Sequence, residues 1–444
     1  METASSTGVR SIAPAHSQRS SRRMTAGLMG GVALEWYDWN IYGVMAAILS
    51  PKFFPSTDPV VSLLSALAVF GAGFFARPIG AALLGPVADR ISHRGVMILS
   101  VSAMAVCSLM IAVMPEYSTI GVWAGVSLLL LRLIQGLATG AEAGVANAIA
   151  SELAPRGKEG RYMGLVSGTS IQIGIVGSSL VALIVSLCIS KSEMHAWGWR
   201  IPFAVGGVMG VVIMYLRSSL PETLIAAALH THAPNDDTRI HERTRDVWKQ
   251  LWDVRLALLA VTLVIGSVQI ANYAWITGLP SMANSVFKEN NSLVFAITVS
   301  MGFVWMLSGP VIGGLADRMR ASRAFILFRL LMAPAFFLLW AYTKQDIERF
   351  ALVMIAGGAV VGFNMSLSNY IAVTLMPRSI RTTGVAVGYA LGVSILGGTS
   401  PYLLLWLHHN NLGHLFPIYG AAIAVLSVIV YMIARTRGHA YLSN

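Results

Sequence analysis

The uncharged runs of this chain constrain its fold most: residues 162–190, 256–287 and 382–434 contain no Asp, Glu, Lys or Arg. A soluble domain carries charge on nearly every element that meets water, and about a quarter of its residues are charged. Here only 11% are charged and 55% are hydrophobic. The runs exceed what a globular core needs and suit helices that cross a bilayer. No ten-residue alternation of the barrel type is present, so the expected fold class is an all-α membrane protein. Hydropathy predicts twelve transmembrane helices, near 24–50, 60–88, 96–114, 117–150, 162–190, 199–217, 255–284, 292–316, 323–343, 350–376, 382–407 and 414–434.

Basic residues set the orientation. With the N-terminus inside, 22 of the 31 Lys and Arg fall in cytoplasmic segments and 6 outside (Lys52, Lys191, Arg200, Lys288, Lys344 and Arg349), while Arg77, Arg132 and Arg329 lie within spans. Both termini are therefore expected in the cytoplasm of a cell whose plasma (inner) membrane the chain spans. The net charge of +11 becomes a record of topology, and no nucleic-acid partner is expected. The expected organisation is a disordered tail over 1–23, a six-helix bundle over 24–217, a cytoplasmic loop over 218–254, a second six-helix bundle over 255–435 and a tail over 436–444. Within the loop, Ile240, Val247, Trp248, Leu251 and Trp252 fall on helical spacing, so 238–252 is a candidate amphipathic helix. Cys107 and Cys188 both lie in apolar stretches and are expected as small buried hydrophobes.

The two halves echo each other. GPVADR at 85–90 returns as GGLADR at 313–318, at the same end of the second span of each half. Pro155 and Arg161 are answered by Pro377 and Arg381 after the fourth spans. Two markers at matching places predict a parallel repeat of two bundles.

The repeated G-x-x-x-D-R resembles the cytoplasmic loop motif of the major facilitator superfamily. EWYDWNIYG at 35–43, FFP at 53–55, FFARPIG at 74–80, RLIQGLATGAE at 132–142 and P-x-x-x-R-x-x-G at 377–384 are similar to its metabolite:proton symporter branch. That branch includes shikimate, oxoglutarate, citrate and proline/betaine permeases. The chain departs from the branch at Ala141, where a second glycine is usual, and after Asp89, where ISHRG replaces Gly-Arg-Arg. The resemblance implies a major facilitator fold and proton-coupled transport, with no covalent catalysis and no cofactor besides the proton gradient.

Ionisable groups buried in spans are the candidate machinery, because a charge near the bilayer centre costs several kcal/mol unless it is paired or hydrated. At about 1.5 Å of rise per residue, Glu35 and Asp38 lie roughly 16 to 21 Å into helix 1, Arg77 roughly 18 Å from Asp89, and Arg132 about 20 Å from the outer end of helix 4. All four are expected near the midplane. Asp38 is the first candidate for proton carrier and Glu35 the competing one. Arg132 is the group expected to meet a substrate carboxylate, since guanidinium stays charged and binds carboxylate bidentately. Arg77 is a second anchor or the partner of Glu35. Glu142, about ten residues nearer the cytoplasm, is read as a gate, a packing group or a contributor to coupling. Tyr37, Gln172, Gln269, Asn272, Tyr273, Trp305, Asn364 and Tyr389 are candidate substrate contacts at comparable depth. The charged loop ends, Asp89, Arg90, Arg94 and Arg161 with Asp317, Arg318 and Arg381, are expected to gate the cytoplasmic side. Arg329, about 9 Å from the inner end of helix 9, is expected to snorkel to the headgroups.

These features predict a proton-coupled symporter, functional as a monomer, that imports a small organic acid or zwitterion by alternating access. A drug or metabolite antiporter of the same fold is the nearest alternative, although the Gly-Pro signature usual for that group in helix 5 is absent from 162–190. A non-transporting membrane receptor would need a sizeable soluble domain. No G-x-x-x-x-G-K-[ST] is present, so ATP is not expected as the driver. His408, His409 and His414 lack an accompanying Cys or carboxylate and are read as solvated loop residues rather than metal ligands.

Overall fold

A computed structural model describes residues 15–90, 93–140, 142, 162, 164–218, 249–318, 321–341, 346–377 and 380–438. Among them there are helices and connections but no strands, as a lipid environment demands of a backbone that must satisfy its own hydrogen bonds. The first half comprises α1 (Ala15–Phe53), α2 (Pro59–Arg90), α3 (His93–Val113), α4 (Trp123–Thr139), α5 (Ser170–Cys188) and α6 (Arg200–Ser218). The second begins with α7, Arg255–Tyr273, which continues through a π-helical turn at Ala274–Gly278 into Leu279–Ser285. It goes on through α8 (Asn291–Arg318), α9 (Ala321–Ala341) and α10 (Gly358–Thr374, led in by Ile347–Leu352). Next come α11 (Arg381–Gly392, resumed as Ser400–His409) and α12 (Leu415–Thr436). Eight of these helical stretches are long and apolar enough to cross a membrane, and a ninth qualifies if the pair Lys191–Gly198 and Arg200–Tyr215, bent by 49°, is one span.

Packing reproduces the repeat read in the sequence. In the first half α1 packs on α5, α2 on α4 and α3 on α6; in the second α7 packs on α11, α8 on α10 and α9 on α12. The halves meet where α5 faces α8, α2 faces α11 and α1 faces the last turns of α7. Small residues allow close approach where no hydrophobic drive exists between helices in lipid. A Cβ on Gly136 of α4 would collide with the Gly73 carbonyl of α2, and one on Gly80 with the Leu137 backbone. Glycine at those two positions thus brings together the helices that carry Arg77 and Arg132.

Within the helices the structure first differs from the sequence reading at two places. Helix α1 starts at Ala15, so residues 15–23, expected in a disordered tail, are helical; their Ser and Arg content masks a helix that begins before the apolar run. Cys107 is buried as expected, but Cys188, the last residue of α5, is exposed. The candidate amphipathic helix at 238–252 lies outside the described residues up to 248; beyond it Leu251 is buried and Trp252, read on the same apolar spacing, is exposed.

Candidate functional site

Glu35 and Asp38 stand one helical turn apart on α1, yet each turns to a different partner. Glu35 Oε1 is 2.9 Å from an Arg77 Nη on α2, and Asp38 Oδ2 is 3.6 Å from an Arg132 Nη on α4. All four are buried, with Arg132 fully enclosed. Asp38 is held further: the Gln135 amide donates to Oδ2 at 2.7 Å and the Ser108 hydroxyl of α3 donates to Oδ1. Arg132 also reaches the Asp38 carbonyl at 3.4 and 3.5 Å. One carboxylate is thus gripped by three side chains from two helices.

Aromatic rings complete the arrangement. The Arg77 guanidinium lies 4.5 Å from the Trp39 ring centroid and 4.8 Å from that of Phe74. The Arg132 guanidinium lies 4.2 Å from Tyr42 and 5.6 Å from Trp39. Trp39 therefore serves both arginines, and a cation over a desolvated ring gains on the order of 2 kcal/mol. Sequence reasoning missed Trp39, Tyr42, Phe74, Gln135 and Ser108. Gln135 was within reach of it, since it stands three residues after Arg132 and shares that helix face.

The second half approaches this centre through aromatic contact. Tyr273 of α7 stacks on Trp36 of α1, with centroids 5.9 Å apart and planes 11° apart, and meets Phe70 and Phe74 of α2 edge-on. Behind Tyr273 a polar chain runs from the Asn272 amide to Gln269 (2.9 Å) and from the Gln269 amide to the Tyr389 hydroxyl of α11 (3.2 Å). Of the residues expected at the site, the structure thus brings together Glu35, Asp38, Arg77, Arg132, Tyr273, Gln269, Asn272 and Tyr389.

Others lie elsewhere. The Tyr37 hydroxyl donates to the Pro202 carbonyl of α6, which ties it into first-half packing. The Asn364 amide donates to the Phe328 and Val360 carbonyls at 2.8 and 3.0 Å, binding α10 to α9. Gln172 on α5 and Trp305 on α8 are buried. Glu142 accepts a hydrogen bond from Ser100 of α3 at 2.7 Å. Asp89, Arg90, Asp317 and Arg318 close α2 and α8, and Arg381 opens α11, but the contacts of their side chains and of Arg94, like Arg161 altogether, lie outside the described residues.

Arg329 overturns the expectation that it snorkels. It is fully buried between α7, α9 and α10, where it donates to the Ser267 hydroxyl, the Val264 carbonyl (3.0 Å) and the Ser368 hydroxyl, and lies 5.0 Å from the Phe325 ring. Depth along a helix axis does not report which face a neighbour covers, and here two neighbours, α7 and α10, cover it.

At the end of the bundle assigned to the outside, contacts between halves are direct. The Ser281 hydroxyl donates to the Gly43 carbonyl at 3.2 Å and the Ser186 and Ser292 hydroxyls lie 3.2 Å apart, while deeper, beside the site, the Ser394 hydroxyl donates to the Phe74 carbonyl at 2.6 Å. His409 Nε2 is 3.7 Å from Asp58 Oδ2 across the same divide.

A helical bundle built as a repeat, with titratable pairs in its apolar middle, defines a polytopic membrane transporter. Residues 28–401 match the family model of the Major Facilitator Superfamily, and the chain belongs to that family. It is 32% identical to the alpha-ketoglutarate permease of Escherichia coli strain K12 over 95% of this chain and 96% of the relative. It is 30% identical to the citrate-proton symporter of Salmonella typhi (87% and 88% covered) and 28% identical to the proline/betaine transporter of E. coli strain K12 (90% and 80%). These relatives form the metabolite:proton symporter group to which the motifs pointed. Among solved structures, a D-xylose-proton symporter superposes with a TM-score of 0.72 at 17% identity, covering 92% of this chain and 97% of the other. The protein is therefore a transporter and not an enzyme.

Proposed function

We propose that this protein is a proton-coupled symporter that imports a small organic acid or zwitterion by alternating access, as a monomer of the cell inner membrane with both termini in the cytoplasm. The observation that carries this reading is the pair of acid–arginine contacts, Glu35–Arg77 and Asp38–Arg132, sharing Trp39 beside the line where the halves meet. Each pair is an exchangeable device. A substrate carboxylate that reaches a guanidinium displaces the resident carboxylate, and a carboxylate that loses its cation takes up a proton more readily. Substrate and proton therefore load together and leave together. Asp38 is the carrier, with Glu35 as the competing candidate, and Arg132 is the substrate anchor with Arg77 as the second. Tyr273, Gln269, Asn272 and Tyr389 of the second half select the solute by ring contact and hydrogen bonding. The proton gradient supplies the energy, and no cofactor takes part.

The test is reconstitution into liposomes with an imposed inward proton gradient. Labelled mono-, di- and tricarboxylates and betaines are offered, after a thermal-shift screen has ranked them by stabilisation of the folded state. Gradient-driven uptake of one class is expected; absence of flux for every solute, or outward pumping only, would overturn the reading.

A further inference from the structure

The end of the molecule assigned to the outside holds a cavity of about 400 Å³ between the halves. Ser186 and Lys191 come from the first half; Lys288, Glu289, Asn290 and Ser292 come from the second. Cationic groups at this end divide into two sets. Lys52 and Arg200 share Glu116, at 2.9 and 3.8 Å, and Arg349 is 3.4 Å from Asp346. Lys191 and Lys288 have no ion pair among the described residues, and both line the cavity. Against them stands one acid, Glu289, so the wall carries one net positive charge. The backbone at Lys288 is left-handed (φ 56°), a conformation uncommon for a side chain of this size, in the turn that joins α7 to α8. The Ser186 and Ser292 hydroxyls, 3.2 Å apart across the divide, mark the seam beside the cavity.

We propose that this cavity is a capture site for the carboxylate of the transported solute, occupied from the outside while the outer contacts are closed. The proposal rests on the transport reading above. Ammonium groups at no ion-pair distance from a carboxylate among the described residues, set on opposite halves of a cleft, raise the local concentration of anions there. The volume suits a small metabolite. Because each half supplies one lysine, separation of the halves pulls the two charges apart and weakens the hold on the anion as the way inward opens. Capture and release are thereby tied to the same movement.

The experiment compares proteoliposomes of wild type, Lys191→Gln/Lys288→Gln and Lys191→Arg/Lys288→Arg, with labelled 2-oxoglutarate, citrate and glycine betaine as probes and the transported one carried forward. The Gln pair is expected to raise the uptake KM about fivefold with a maximal rate within about twofold of wild type, and the Arg pair to keep the wild-type KM. An unchanged KM in the Gln pair, or a fall confined to maximal rate, overturns the capture site while leaving the transport reading intact. Absence of wild-type uptake counts against that reading and takes the capture site with it. Each measurement is made in phosphatidylcholine vesicles and again with phosphatidylglycerol added. A KM difference seen only with the anionic lipid means that the cavity takes a lipid phosphate, and this too overturns the assignment.

Discussion

Arg132 in the first half and Arg329 in the second are both fully enclosed, yet they are neutralised in different ways. Arg132 faces the Asp38 carboxylate at 3.6 Å. Arg329 faces two serine hydroxyls and a backbone carbonyl, with no carboxylate at ion-pair distance among the described residues. A carboxylate partner can be protonated or displaced, so its grip is conditional. Hydroxyl and carbonyl dipoles cannot change charge, so theirs is permanent. On the proposed reading the first half holds its arginines in a form that substrate and proton can undo, whereas the second uses its arginine as a fixed tie among α7, α9 and α10. That tie reaches α7 at Val264 and Ser267, just before Gln269, and so steadies the helix that presents Tyr273 to Trp36.

The contrast breaks most directly at Arg132. Arg132→Met leaves Asp38 as a buried carboxylate without its cation, which costs about 3–5 kcal/mol. A large drop in the thermal unfolding midpoint is expected. The double variant Asp38→Asn/Arg132→Met should regain much of it, because the uncompensated charge goes with the acid. If the double variant is as unstable as the single, the pair is not coupled as described.

Asp38→Asn alone keeps the shape but removes the titration. Accumulation driven by an inward proton gradient should fall about 100-fold, equal to about 2.7 kcal/mol at 1.36 kcal/mol per decade, while exchange of labelled for unlabelled solute persists. Accumulation surviving in this variant would transfer the carrier role to Glu35. A smaller effect follows from Gln135→Leu, which deletes the 2.7 Å amide contact to Asp38. A hydrogen bond to a charged group contributes about 1.5–3 kcal/mol, so uptake at least tenfold slower is expected, with protein levels near wild type. Wild-type uptake would mean that Asp38 is positioned by Arg132 and Ser108 alone.

How much of this was legible in the sequence depends on which physical quantity decides each point. The buried quartet was visible because charge is rare in apolar spans. The pairing was not, since residues at i and i+3 share a face but that face spans two neighbours, so Glu35 turns to α2 and Asp38 to α4. Tyr37, between them, points to α6 instead. Asn364 was placed by depth alone, and its amide is occupied with α9. The aromatic plates were hidden because a tryptophan in a membrane span reads as ordinary packing until the cations beside it are located. Repeat architecture was legible from GPVADR and GGLADR, since a motif marks chain position independently of side-chain orientation.

The smallest effect should come from Arg329, and its smallness is the sharpest check on the comparison between halves. In Arg329→Met the groups left behind are acceptors with other partners: the Ser267 hydroxyl donates to the Val264 carbonyl at 3.3 Å and the Ser368 hydroxyl to the Asn364 carbonyl at 2.6 Å. No buried donor is orphaned, and one desolvated charge is removed. Replacing a buried ion by an apolar residue of similar length is often neutral or stabilising, so a stability change within about 1 kcal/mol and uptake within a few-fold of wild type are expected. Thermal unfolding and uptake kinetics on the same preparation decide the point. If Arg329→Met unfolds at the wild-type temperature but no longer accumulates solute, its charge is used in transport, and the division between a switchable first half and a fixed second half fails.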